Sequence, residues 1–272
     1  MIFKSKIPAM PYLVWVAVFI AAPLFLIAYF AFTDRQGSVT IVNISDVAKF
    51  GPVFILSILL ALLATVICLI LGYPLAFIMS RMKPSYQRLM MMLIMLPMWM
   101  NYLLRTYAWM ALLETNGLIN RFFDLFGLGP FQMINTEGAV VLGMVYNSLP
   151  FMILPLYTVM IKIDNSVIEA AQDLGGNFAG VFLRIVFPLS KPGVLSGITM
   201  VFTPSVSTFI ISRMLGGGSN FLIGDLIEQQ FLGNAYNPHL GSAISLILMI
   251  FILLSIALLN QFDADETEGV II

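Results

Sequence analysis

Apolar residues gather along the chain into six runs, divided by short polar segments. Crossing roughly 30 Å of hydrocarbon takes about 20 helical residues. The runs that reach this length fall near Tyr12–Thr33, Val53–Ser80, Leu89–Leu113, Gly138–Ile161, Gly193–Ser212 and Leu240–Gln261. They predict an all-α integral membrane protein with six transmembrane helices. The first run follows Lys4 and Lys6, as a signal peptide would. It is too long for a signal h-region and no small-residue cleavage site closes it, so it reads as a retained anchor. Proline interrupts five of the runs, at Pro23, Pro74, Pro97, Pro150 with Pro155, and Pro204. Each removes a backbone donor and kinks a helix, and the freed carbonyls then need protein or water. Proline is also commoner in membrane helices than in soluble ones. Recurrence in five runs points to a bundle that moves or lines a cavity.

One polar segment, Asp164 to Gly193, carries structure of its own. Ser166 and Glu169 have capping-box spacing, in which each side chain satisfies a free backbone donor. Val167, Ala170, Ala171 and Leu174 follow at i, i+3, i+4, i+7, with Glu169, Gln172 and Asp173 on the opposite face. Gly175 and Gly176 supply the left-handed backbone that ends a helix. The pattern predicts a short amphipathic helix outside the bilayer, its apolar face on its own bundle and its polar face toward a soluble protein.

Composition narrows the function classes. Of 272 residues, 60% are hydrophobic and 10% charged, with mean hydropathy +0.98. Soluble domains carry roughly 25% charged residues, so a soluble globule is excluded. A net charge of −1 offers no basic field for nucleic acid. The single cysteine, Cys68, lies in an apolar run and leaves no internal disulfide or cysteine-rich metal site. The single histidine, His239, stands at a helix entry beside Pro238. No glycine is followed directly by lysine, so no P-loop exists to cradle nucleotide phosphates. No His–Glu pair has zinc spacing and no span holds two carboxylates, which argues against an intramembrane enzyme.

Lysine and arginine placement sets an expected orientation. With the N-terminus in the cytoplasm, inside segments hold Lys4, Lys6, Arg81, Lys83, Arg88, Lys162, Arg184 and Lys191. Outside segments hold Arg35, Lys49, Arg105, Arg121 and Arg213. The Asp164–Gly193 segment then faces the cytoplasm.

Polar groups within the spans are sparse, and they are the candidate solute pathway. Arg105 sits in Asn101-Tyr102-Leu-Leu-Arg105-Thr-Tyr107-Ala-Trp109. An arginine near mid-membrane costs about 2.5–3.5 kcal/mol on insertion scales, so an unpaired lipid-facing place is disfavoured. It either snorkels to the headgroups, pairs with Glu114, Asp225 or Glu228, or lies on the pathway. Aromatics of this segment belong to an interfacial belt or face a cavity, where each can hold an organic cation with about 0.5–2 kcal/mol. Tyr146 and Asn147, just before Pro150, are placed to face the same lumen.

Glu169-Ala170-Ala171, three residues, Gly175, nine residues, then Ile185-x-Phe187-Pro188 resembles the EAA loop of ABC importer permeases, E-A-A-x3-G-x9-I-x-L-P. Only Phe187, in place of leucine, departs from it. Leu104–Trp109, Asn147–Tyr157 and Leu222–Phe231 further resemble the spermidine/putrescine permeases. The resemblance covers nearly the whole chain. It implies a type I ABC importer permease fold, one permease domain over residues 1–272 with a core of about 53–260, and a coupling loop at 164–193. By this likeness Glu169, Ala170, Ala171, Gly175, Ile185 and Pro188 couple the pore to an ATPase. A second, PotC-like permease completes the pore, two ATPase subunits bind ATP and Mg, and an extracytoplasmic binding protein delivers cargo. The chain itself binds no cofactor and is not an enzyme; it sits in a bacterial cytoplasmic membrane with both termini inside. A polyamine is a di- or tri-cation, yet the spans hold Arg105 and lack acids. The cation then meets Glu114, Asp225 and Glu228 only at the mouth, or the partner permease supplies charge. Another small solute such as thiamine or an opine is the nearest alternative cargo. An ion-driven secondary transporter is a different class, disfavoured by the missing internal repeat.

Overall fold

A computed structural model describes residues 10–218, 220–233 and 235–268. Lys4 and Lys6 lie outside the described residues. Its principal helices are α1 (Met10–Ala31), α2 (Gly51–Ser80), α3 (Pro84–Met95), α4 (Tyr102–Leu113), α5 (Leu118–Asp124), α6 (Glu137–Met160), α7 (Asn165–Asp173), α8 (Phe182–Val206), α9 (Ile210–Leu215), α10 (Ile223–Leu232) and α11 (Pro238–Glu268). Among the described residues five helices are long and apolar enough to cross a membrane, six if one sharply bent pair counts as a span. The membrane class and all-helical build follow from the hydrophobic runs. Two compact units divide the chain: residues up to Pro52 with Leu226–Leu253, and Val53–Asp225 with Leu254 onward.

In the smaller unit, α1 is apolar throughout and none of its spanning window is buried within the chain. One π turn, Ala17–Ala21, precedes Pro23. The helix ends where Asn43 Nδ2 donates to the Thr33 carbonyl at 2.8 Å. His239 stands at the entry of α11, its ring edge-on to Phe30 at 5.3 Å and Nδ1 3.2 Å from the Phe30 carbonyl oxygen.

The larger unit is built on α2, α6 and α8. Thr136 opens α6, its Oγ1 accepting from Ala139 N at 3.1 Å, which satisfies one of the free donors at a helix start. The α6–α8 seam is close because α8 presents Gly193 and Gly197 one turn apart. A Cβ at Gly193 would lie 3.1 Å from the Pro155 carbonyl oxygen, and one at Gly197 would lie 2.6 Å from Met152 Sδ. Small residues four apart let membrane helices approach and gain dispersion contact, the main attraction available where lipid is as apolar as the side chains. Tyr73 of α2 reaches the same seam, its hydroxyl 2.6 Å from Ser190 Oγ. Met79, Met152, Ile153, Leu156 and Met160 fill the core beside it with almost no exposure.

Two spans differ from the sequence expectation. The third run is not one continuous helix. It breaks after Leu96–Trp99, a single 3-10 turn containing Pro97, and α4 leaves at 91° to the preceding pair of elements. Proline weakens the turn, Met100 turns extended, and Asn101 caps the new helix by accepting from Leu103 N and Leu104 N at 2.9 and 3.3 Å. The fifth run begins earlier and ends earlier than Gly193–Ser212, since α8 starts at Phe182 and stops at Val206, two residues beyond Pro204. Much of the expected loop to Gly193 is therefore already helix. Pro74, Pro150 and Pro155, by contrast, sit inside α2 and α6 without ending them.

Candidate functional site

Two places carry the polar chemistry of the larger unit. One is the helix α7 between α6 and α8. Its start is not the expected capping box: Asp164 is the N-cap, its Oδ1 accepting from Ser166 N at 3.0 Å, and Ser166 is already helical. That hydrogen bond holds the Asp164 carboxyl below the usual carboxylate range. Asp wins because an ionised cap also suits the positive end of the helix. At the other end Gly175 N donates to the Gln172 carbonyl at 2.8 Å and Gly176 N to the Ala171 carbonyl at 3.0 Å. This is a Schellman stop, and it requires the left-handed backbone of Gly175, φ +86°. Gly176 has no positive φ, so the expected pair of left-handed glycines is one.

The faces of α7 are not divided as expected. Asn165, Ile168, Glu169 and Gln172 line a small open cavity of about 220 Å³ with Phe77, Arg81, Phe182 and Val186, and on α7 only Ile168 and Ala171 are half-buried. Val167 and Leu174, expected against the bundle, are 43% and 90% exposed, and Ala170 is exposed between them. The physical reason is Arg81. It follows the last residue of α2 and donates through Nη1 to the Ile163 carbonyl at 2.8 Å and to Asn165 Oδ1 at 2.5 Å, and through Nη2 to the Met160 carbonyl at 3.3 Å. A cation at the C-terminal carbonyls of α6 is favourable, and its grip on Asn165 fixes which side of α7 faces in. Ala171, Gly175 and Ile185 line one further groove of about 480 Å³. Pro188 is exposed on α8, just after its π turn Phe182–Val186. Sequence reasoning counted Arg81 only as a charge; its position right after an apolar run, before Met82-Lys83-Pro84, was the available signal.

The second place is a cavity of about 420 Å³ lined by α4, α6, α8, α9 and the break before α4. Of the expected pathway residues it brings together Tyr102, Arg105 and Asn147. Arg105 is 8% exposed and no carboxylate pairs with it among the described residues. Instead Nη1 donates to the Pro97 carbonyl at 2.8 Å. The break at Pro97 frees carbonyls that lipid cannot satisfy, and the guanidinium one turn into α4 meets one of them. Its Cζ lies 5.6 Å from the Tyr102 ring centroid and 5.8 Å from that of Tyr146. Trp109 packs edge-on against Tyr146 at 5.2 Å, joining α4 to α6.

The other expected residues do not converge here. Asn101 is an exposed cap, Tyr107 is exposed, and Glu114 is exposed at the end of α4, none of them lining the cavity. Asp225 is 3% exposed, and its Oδ2 accepts from Leu222 N at 3.0 Å at the start of α10. It is no open acid at a mouth. Glu228, in the other unit, is half-buried. Residues not anticipated by the sequence include Ser148, Phe151, Ser205 and Thr208. Their signal was proline: Pro97 and Pro204 mark the helix breaks beside this space, and Ser205 and Thr208 follow the second.

Residues 69–264 match the family described as binding-protein-dependent transport system inner membrane component. The chain is 37% identical over 254 residues to the spermidine/putrescine transport system permease protein PotB of Haemophilus influenzae, covering 89% of this chain and 88% of that one. It is 34% identical to the protein of that description from Escherichia coli (strain K12), over 87% of this chain and 89% of the relative. Its fold is similar to that in the crystal structure of a bacterial ABC transporter involved in the import of the acidic polysaccharide alginate. That likeness has a TM-score of 0.75 at 16% identity, over 94% of this chain and 93% of the other. The all-α, ABC importer permease fold expected from the EAA resemblance is the fold found.

Proposed function

Since the chain belongs to the family of binding-protein-dependent transport system inner membrane components, we propose that it is the pore-forming permease subunit of an ATP-driven importer of spermidine and putrescine. Such subunits are not enzymes, and the work is done elsewhere in the complex. The assembly we infer has a second permease completing the pore, two ATPase subunits holding ATP and Mg, and an extracytoplasmic binding protein. The chain lies in the cytoplasmic membrane with α7 and both termini on the ATPase side.

The observation that carries this reading is the exposed apolar stripe Val167, Ala170 and Leu174 on a helix capped at both ends. A short helix outside the hydrocarbon gains nothing by holding Leu174 in water, and such patches mark partner surfaces. Docking of that stripe in a cleft of the ATPase covers it. Closure of the ATPases on ATP then pushes α7. The push passes through Arg81 to the ends of α2 and α6, and through Gly175 and Ile185 into α8. Glu169, exposed and lining the cavity beside Arg81, borders that stripe.

The cargo rests on the relatives' names. The test is uptake of labelled spermidine and putrescine into proteoliposomes holding the complete complex and its binding protein. We expect uptake that requires internal or external ATP at the nucleotide-binding face and survives collapse of ion gradients. Uptake driven by an ion gradient without ATP, or no uptake of either polyamine, would overturn the reading.

A further inference from the structure

Two buried polar side chains of the 420 Å³ cavity each keep one unpartnered atom. Arg105 commits Nη1 to the Pro97 carbonyl, while its Nε has no hydrogen-bond partner among the described residues. Asn147, 7% exposed, donates from Nδ2 to the Gly143 carbonyl at 2.8 Å, and its Oδ1 is likewise unpartnered. Both side chains line the same space. Burying polar atoms without partners is costly, and a full positive charge without a carboxylate is the costliest case. A purely structural role for Arg105 accounts for one of its donors and, through the Tyr102 and Tyr146 rings, for part of its charge, and leaves Nε without a partner.

An ammonium group entering this cavity meets a particular field. No carboxylate lines the wall. The faces of Tyr102 and Tyr146, which by cation–π contact would hold an ammonium, are already beside the guanidinium. What remains for the cargo is a set of acceptors, Asn147 Oδ1 and the hydroxyls of Ser148, Ser205 and Thr208, next to a fixed positive charge. Fixed arginines in pores act as electrostatic barriers to cations.

We propose that Arg105 is the charge-discriminating residue of the pathway, opposing cargo in proportion to its positive charge while Asn147 accepts from its ammonium groups. The inference rests on the polyamine reading above. Under it the divalent diamine passes more readily than the trivalent triamine. One extra unit charge within about 10 Å, at an effective dielectric constant of about 20, changes the relative rate roughly tenfold.

The experiment measures initial uptake of putrescine and spermidine by the complete complex in proteoliposomes, with binding protein saturated by each. Arg105→Gln is expected to raise the spermidine-to-putrescine rate ratio by about three- to tenfold, and Arg105→Lys, which keeps the charge, to leave it near the parent value. Asn147→Asp adds a negative charge without touching the Pro97 contact, and is expected to move the ratio in the same direction as Arg105→Gln. That variant decides the matter if Arg105→Gln fails to assemble. A ratio unchanged in Asn147→Asp and in any assembled Arg105→Gln overturns the proposal and leaves Arg105 as a cap on the helix break. Absence of polyamine uptake in the parent complex overturns the transport reading itself, which separates the two failures.

Discussion

The helix α7 and the broken-helix cavity solve opposite problems with the same few residue types. In α7, polar groups are spent locally: Asp164 caps the start, Gly175 closes the end, and Val167, Ala170 and Leu174 are left exposed. In the cavity, polar groups act at a distance: Arg105 reaches back to the Pro97 carbonyl, and Asn147 leaves its Oδ1 unpartnered in the interior. A segment in water can leave its surface to a partner and satisfy its backbone from neighbours in sequence. A segment in hydrocarbon must find every partner within the protein. Under the proposed function the first is a rigid part presented to the ATPase, and the second a costly arrangement kept for the solute.

The sharpest way to break this contrast is to strike the seam on which both regions depend. Gly193→Val places a side chain against the backbone of Pro155 and Leu156, 3.1 and 3.2 Å from where its Cβ would start. Backbone there cannot give way cheaply, so we expect destabilisation of about 3 kcal/mol, read as a lowered unfolding temperature in detergent. Both regions should fail together. Leu174→Glu separates them. The side chain is 90% exposed, so stability in detergent should stay within about 0.5 kcal/mol of the parent. Stimulation of ATPase activity by loaded binding protein should fall about tenfold, as when an interface hot spot is lost.

Gly175→Ala tests whether the end of α7 matters by its backbone rather than its bulk. Nothing lies within 4 Å of an added Cβ, so the only penalty is the left-handed φ of +86°. About 1 kcal/mol of local destabilisation is expected, visible as faster amide exchange in residues 165–176 and not in α6. Gly175→Asn, which tolerates that backbone better, should recover part of it. The smallest effect is set by pH. The Asp164 carboxyl is depressed in the folded chain, so its contribution is present above the unfolded value of about 4 and is lost as pH falls through the folded value. Amide protection in α7 should drop on acidification in the parent, while Asp164→Ser keeps a cap and loses that pH dependence.

The contrast also governs what could be read from sequence. The α7 segment was legible as a helix with a glycine stop, because caps and stops are local in sequence. Its rotation was not, since the inward face is chosen by Arg81, about 80 positions away. The spans were legible from hydrophobic length, except where Pro97 bends the third and where α8 begins at Phe182 instead of Gly193. Gly193-x-x-x-Gly197 was present as a packing signal and passed unused. In the cavity, Tyr102, Arg105 and Asn147 were identified from their types alone, as rare polar or aromatic groups in apolar runs. Asp225 was misplaced by the same logic: its carboxylate is buried on the Leu222 backbone, a local turn bond that residue type does not reveal. Ser148, Ser205 and Thr208 are ordinary in membrane helices and become special only through the space they share.

The central claim is that the exposed stripe of α7 is the surface on which the ATPase works. It is tested most directly by placing a photo-crosslinking amino acid at Leu174, and in a control at Tyr86 of α3, which is also exposed, in the assembled complex. The account predicts an adduct with the ATPase subunit from position 174, strengthened or shifted when ATP is bound, and a much weaker one from position 86. An actively transporting complex that gives no ATPase adduct from position 174 in any nucleotide state would contradict it.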